Sequence, residues 1–117
     1  MISQKATFYP NHLIKSFIEY SDDVLLYKEE YDLFGNMTYF ENSAGWVRIT
    51  FNEIGKLIKE ENSVSDTTLI IDYYRNGYGN KKQAKTICSN GDWFIIEYEM
   101  NGNIKASYDS LGNKRNF

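Results

Sequence analysis

Between Tyr73 and Lys85 the chain interleaves rings with cations: Tyr73, Tyr74, Arg75, Tyr78, Lys81, Lys82 and Lys85. Aromatic faces stack on bases while Lys and Arg neutralise phosphates, so this composition suits single-stranded RNA. The same groups suit an acidic protein surface, and a solvated turn beside a Tyr-rich strand has the same composition. Within the segment, Gly77-Tyr78-Gly79-Asn80-Lys81-Lys82 lacks the strand-to-helix setting that aims backbone N–H groups at a phosphate. A second set pairs large rings with charge: Trp46 stands two residues before Arg48, and Trp93 four residues before Glu97. Such a face serves either as a binding surface or as packing for a curled sheet or a homodimer.

Catalytic chemistry finds few candidates. One His and one Cys exclude a Cys/His zinc site within the chain, and Asp22-Asp23 and Glu29-Glu30 lack the spacing of a calcium loop. A nucleophile would need His12 or a Lys as its base. His12 follows Pro10-Asn11 in an expected turn, the setting of an exposed or capping histidine. Glu41 and Glu61 recur at one repeat position and offer paired carboxylates, but Glu-Asn-Ser at a turn entry is accounted for by turn hydrogen bonding. Cys88, at a strand end, reads as a small buried apolar residue. No enzyme activity, cofactor or metal is expected.

The elements that must carry these residues are written as repeats. Tyr31-Asp32-Leu33-Phe34-Gly35-Asn36-Met37 is followed twenty positions later by Phe51-Asn52-Glu53-Ile54-Gly55-Lys56-Leu57, and Glu41-Asn42-Ser43 by Glu61-Asn62-Ser63. The unit returns as Tyr98, Gly102, Asn103, Ile104 and Ser110, with Trp93 five residues ahead of Tyr98 as Trp46 is of Phe51. Each unit is then one supersecondary element stacked on its neighbours. Turn signals about every ten residues leave room for strand, turn, strand, which is an antiparallel meander. The spacing places strands at 24–31, 36–41, 46–51, 56–61, 67–74 and 81–88, with Gly35, Gly55 and Gly102 in equivalent turns at positive φ. Residues 76–80 form an enlarged turn. In residues 11–20 a helical pattern competes with alternation, and the alternation favours a strand. Parity puts Val47, Ile49 and Phe51 on one face, as it does Leu69, Ile71 and Tyr73, and Phe94, Ile96 and Tyr98. That face is expected to be the core.

Tyr31-Asp32-Leu33-Phe34-Gly35-Asn36 and Tyr108-Asp109-Ser110-Leu111-Gly112-Asn113 resemble the tyrosine-aspartate repeats of bacterial RHS proteins, and the glycine-punctuated hairpins resemble MORN-type repeats. The resemblance implies hairpins that extend a sheet. It does not carry over the shell that RHS arrays build, for which the chain is too short. Short chains of Gly-Asn and Glu-Asn-Ser repeats are also similar to small proteins of phages and mobile elements, which implies a role in binding and inhibition.

At 117 residues one domain is expected, with residues 1–30 a degenerate repeat or cap and 31–117 the repeats. One Pro beside eight Gly means that turns here use residues tolerant of positive φ. A single Cys and no basic-then-apolar leader suggest a cytoplasmic protein, and no apolar run is long enough to span a membrane. Residues 1–73 hold six Lys/Arg and twelve Asp/Glu; residues 74–117 hold seven and four. That asymmetry can steer partners of opposite sign to opposite ends.

These features describe an all-β antiparallel meander of repeated hairpins, twisted or curled, with eight to eleven strands and little or no helix. The expected function is non-enzymatic binding: an inhibitor from a phage or mobile element, acting on a bacterial defence nuclease or its guide RNA in the manner of an anti-CRISPR protein. The partner is a protein or ribonucleoprotein. Alternatives are an immunity protein that neutralises a toxin and a carbohydrate-binding module.

Overall fold

The computed structural model describes residues 1–117. Eleven antiparallel strands form one sheet in sequence order: β1 Ile2–Phe8, β2 Ile14–Ser21, β3 Val24–Tyr31, β4 Met37–Asn42, β5 Gly45–Phe51, β6 Leu57–Asn62, β7 Thr67–Tyr73, β8 Lys81–Cys88, β9 Trp93–Tyr98, β10 Ile104–Asp109 and β11 Lys114–Asn116. Residues 14–21 are strand, the outcome that the alternation favours over a helix. No α-helix is present, and one short turn of 3₁₀ type covers Arg75–Gly77. No helix is long and apolar enough to cross a membrane.

The turns repeat one local solution. In Asp32–Asn36 the Gly35 N–H donates to Asp32 O (3.1 Å) and the Asp32 N–H to Asn36 O (2.9 Å). Asn52–Lys56, Cys88–Asp92, Glu99–Asn103 and Asp109–Asn113 use the same pair of bonds. The pattern needs one left-handed residue, and Gly35, Gly55, Gly91, Gly102 and Gly112 supply it at φ between 86° and 94°, where a Cβ would be strained. The first residue of the turn holds it shut: Asp32 Oδ1 accepts from the N–H of Phe34 and of Asn36, and Asn52 and Asp109 do likewise. The β2–β3 turn solves the problem differently, with Asp22 and Asp23 both left-handed in the manner of a two-residue hairpin loop. The Asn of each Glu-Asn-Ser serves its turn, since Asn42 Oδ1 accepts from Ala44 N–H and Asn62 Oδ1 from Val64 N–H, both at 2.9 Å.

Contacts divide the chain into two compact units, Met1–Ile49 with Asn62–Val64, and Thr50–Glu61 with Ser65–Phe117. In the first, Ala6, Phe17, Glu29, Phe40 and Val47 lie in one cross-strand row, and Thr7, Ser16, Glu30, Tyr39 and Arg48 in the next, on the opposite face. In the second, Ile71, Ala84, Ile96 and Ser107 form a row, and Asp72, Gln83, Glu97 and Ala106 its neighbour. Only Ile71 (6% exposed) and Ala106 (4%) are buried, and their rows lie on opposite faces. The expectation of one core face needs correcting at Phe94: it shares the parity of Ile96, yet it is 44% exposed. Parity fixes which face a side chain is on. Whether anything covers that face is a separate matter, and with every strand in the same sheet no second sheet does so here.

Candidate functional site

The Tyr73–Lys85 segment is brought together at the loop between β7 and β8. Tyr74 N–H donates to Asn80 O (3.0 Å), and Tyr74 O accepts from the N–H of Gly79 (2.9 Å) and Gly77 (3.3 Å). The chain turns back on itself within these bonds because Arg75 (φ 54°), Asn76 (φ 53°) and Gly77 (φ 100°) are all left-handed. Asn and Gly accept that conformation readily; a long side chain such as Arg does so at a cost.

Neighbouring turns of the same unit hold this loop from both sides. The Lys56 ammonium donates to two backbone carbonyls, Tyr78 O (3.1 Å) and Gly79 O (2.6 Å), so a single charged group fixes two successive peptide units. Gly77 lies against the Asn52 turn so closely that a Cβ there would come 2.8 Å from Asn52 Nδ2. On the other side the Asn80 amide donates to Met100 O (3.0 Å).

The tyrosines divide into two kinds. Tyr73 and Tyr74 are half-buried; the Tyr73 hydroxyl donates to Leu57 O (2.6 Å) and the Tyr74 hydroxyl to Tyr98 O (2.7 Å). Desolvation raises the Tyr73 phenol above its ordinary pKa. Each ring also carries a cation, Lys56 Nζ at 5.0 Å from the Tyr73 centroid and Lys82 Nζ at 5.9 Å from that of Tyr74. These two residues tie hairpins together. Tyr78 is different: it is 72% exposed, and Arg75 and Lys81 beside it are exposed as well. Lys85 sits apart from this corner, its Nζ 5.5 Å from the Trp93 ring.

In the first unit the β4–β5 hairpin places Tyr39 opposite Arg48 and Glu41 opposite Trp46. Tyr39 and Trp46 stack with centroids 6.3 Å apart, and the Arg48 guanidinium lies 5.6 Å and 5.3 Å from the two centroids. Lys28 reaches the Tyr39 ring at 5.8 Å and pairs with Glu30 at 3.2 Å. The Tyr39 hydroxyl donates to Glu41 (2.6 Å), a bond that holds its pKa above the ordinary value. Trp46 and Arg48 therefore belong to one cluster whose charges and rings already satisfy one another, with Trp46 half-buried.

Three participants were not singled out from the sequence. Tyr39 was legible, since a two-residue turn at Ser43-Ala44 sets it across from Arg48. Lys56 and Asn80 were not, because each acts on a turn about twenty residues away. His12 occupies the β1–β2 turn at φ 70°, its N–H donating to Tyr9 O. Cys88 is half-buried, less enclosed than its place at a strand end suggests. No group of three His, Cys, Asp or Glu converges to hold a metal. Compared with known protein families and with curated proteins, the chain matches none.

Proposed function

We propose that this chain is a non-enzymatic binding protein, an inhibitor from a phage or mobile element that acts on a bacterial defence nuclease, with the β7–β8 loop as its contact. One observation carries the reading. The loop is braced on both flanks, by the Lys56 ammonium on its backbone carbonyls and by its own Asn80 side chain on Met100 O, while the side chains at its tip, Arg75 and Tyr78, are left to solvent. Residues used internally are bonded; residues at the tip are left over. Arg and Tyr on a rigid support are the types that dominate binding energy at interfaces, because little conformational freedom is lost when they dock. The resemblance to small proteins of phages and mobile elements supports the inhibitory role, and the defence nuclease as its target is the part of the reading that the titration tests.

The test is a titration of the purified chain into cleavage reactions of a panel of RNA-guided nucleases. Inhibition that saturates at a fixed molar ratio, and that the double variant Arg75→Ala/Tyr78→Ala loses while remaining folded, is the expected result. Inhibition that grows with time at substoichiometric amounts would mean turnover, and the binding reading would be abandoned. No inhibition across the panel would remove the nuclease as the target.

A further inference from the structure

Resting on the binding role proposed above, we infer that the Arg75–Tyr78 corner recognises a carboxylate on a protein partner, Arg75 supplying a two-pronged contact and Tyr78 an apolar flank. The argument begins with the backbone. Arg75 and Asn76 are consecutive left-handed residues, a geometry that Asn or Gly adopts at the lowest cost. Asn76 follows that preference and Arg75 does not. Strain of this kind persists where the side chain is used, and the brace from Lys56 and Asn80 holds the loop in the strained form.

The Arg75 guanidinium has no hydrogen-bond, ion-pair or ring partner within the chain. Its planar fork matches a carboxylate or a phosphate through two parallel N–H···O bonds. Two observations decide between them. Binding a nucleic acid draws on many phosphates neutralised together, yet the unit that contains the loop carries nine Lys/Arg against nine Asp/Glu. Base stacking would need several open rings, and Tyr73 and Tyr74 are half-buried under Lys56 and Lys82, which leaves Tyr78 alone. A single carboxylate needs only one fork, and the corner offers the unpartnered fork of Arg75 with the exposed Tyr78 ring three residues on.

The experiment compares a fluorescent oligoglutamate peptide with a single-stranded oligoribonucleotide of equal charge, by anisotropy at physiological ionic strength. Variants are Arg75→Asn, which keeps a residue suited to the left-handed turn, Arg75→Lys, which keeps charge without the fork, and Arg115→Ala, which removes one exposed cation elsewhere in the unit. The expected result is saturable peptide binding that weakens about tenfold in Arg75→Asn, recovers little in Arg75→Lys, and is unchanged in Arg115→Ala. Thermal stability of Arg75→Asn should equal or exceed that of the parent, so loss of binding will not reflect unfolding. Tighter binding of the oligoribonucleotide than of the peptide, lost in Arg75→Asn, would overturn the inference in favour of phosphate. Equal weakening by Arg75→Asn and Arg115→Ala would overturn it in favour of bulk charge. Nuclease inhibition left intact by Arg75→Asn would overturn the carboxylate site while keeping the inhibitor role; peptide binding lost in Arg75→Asn without inhibition of any nuclease would support the site and remove that role.

Discussion

Ser63 brackets the backbone of Trp46: its Oγ accepts the Trp46 N–H at 2.6 Å, and its own N–H donates to Trp46 O at 2.9 Å. Ser110 does the same for Trp93 at 3.1 Å and 3.0 Å, again seventeen residues later in the chain. The Trp and Ser of the repeat are thus one device used twice, in which the serine pins the strand that carries the ring. Ser63→Ala removes an acceptor from a half-buried N–H and should cost about 1 kcal/mol. Ser110→Ala should cost less, because water can replace the hydroxyl at that more exposed pair. Urea midpoints of the two variants measure the difference, and a larger loss at Ser110 would contradict the assignment.

Glycine substitutions should separate backbone strain from crowding. Gly35→Ala meets nothing within 4 Å and loses only through its φ of +87°, for a cost of roughly 1 kcal/mol. Gly77→Ala carries the same kind of strain and also drives a Cβ into Asn52, so it should be the more damaging of the two. Equal costs in a denaturant series would mean that Asn52 yields freely and that the loop is not braced on that side.

Lys56→Met keeps the length of the side chain but removes the ammonium from Tyr78 O and Gly79 O. Two carbonyls lose a charged donor, whose bond is commonly worth about 1.5 to 3 kcal/mol where water is excluded and less at a partly exposed site such as this. The expected signature is local: faster amide exchange at Gly77 and Gly79, with the first unit's exchange unchanged. Uniform acceleration across the chain would make Lys56 a general stabiliser and not a brace of the loop.

Ionisation of Tyr31 offers a pH test. Its hydroxyl donates to Glu29, and that bond, with desolvation and the Glu29 charge behind it, pushes the phenol up from 10.0 to about 12. A group whose pKa is raised on folding stabilises the fold fully below its unfolded value and loses that contribution as pH climbs through the folded value. Stability should therefore fall across pH 10 to 12, and the fall should be shallower in Tyr31→Phe. Phenolate absorbance in the parent should show a late-titrating tyrosine that the variant lacks; unchanged titration would show that the Glu29 bond does not persist in solution.

Asp109 works in the opposite direction at low pH. Hydrogen bonds from the Asn113 side chain and backbone, and from the Leu111 N–H, lower its pKa below the ordinary 3.8. The lowered value means that the turn is favoured above the unfolded pKa and loosens as pH drops through the folded one. Amide exchange at Leu111 and Asn113 should rise in acid before the rest of β10 does, and Asp109→Asn should remove that pH dependence.

Local chemistry made much of the fold legible from the sequence. Glycine is required wherever a five-residue turn passes through positive φ, and strand side chains alternate faces, so Gly35, Gly55 and Gly102 marked the turns and the β3 and β8 boundaries fell where periodicity placed them. The same locality explains Asn42 and Asn62, which bond the turn two residues ahead of them. The tertiary structure alone decided what each face and ring is used for. Phe94 alternates like a core residue but stays 44% exposed, because burial depends on what lies over a sheet and not on the pattern along a strand. Tyr74 and Tyr78, four positions apart in one Tyr-rich segment, have opposite fates, one tied to Tyr98 O and one open to solvent. Their separation comes from partners some twenty residues away, whose positions are set by strand register and turn geometry together and leave no mark in the residues beside them.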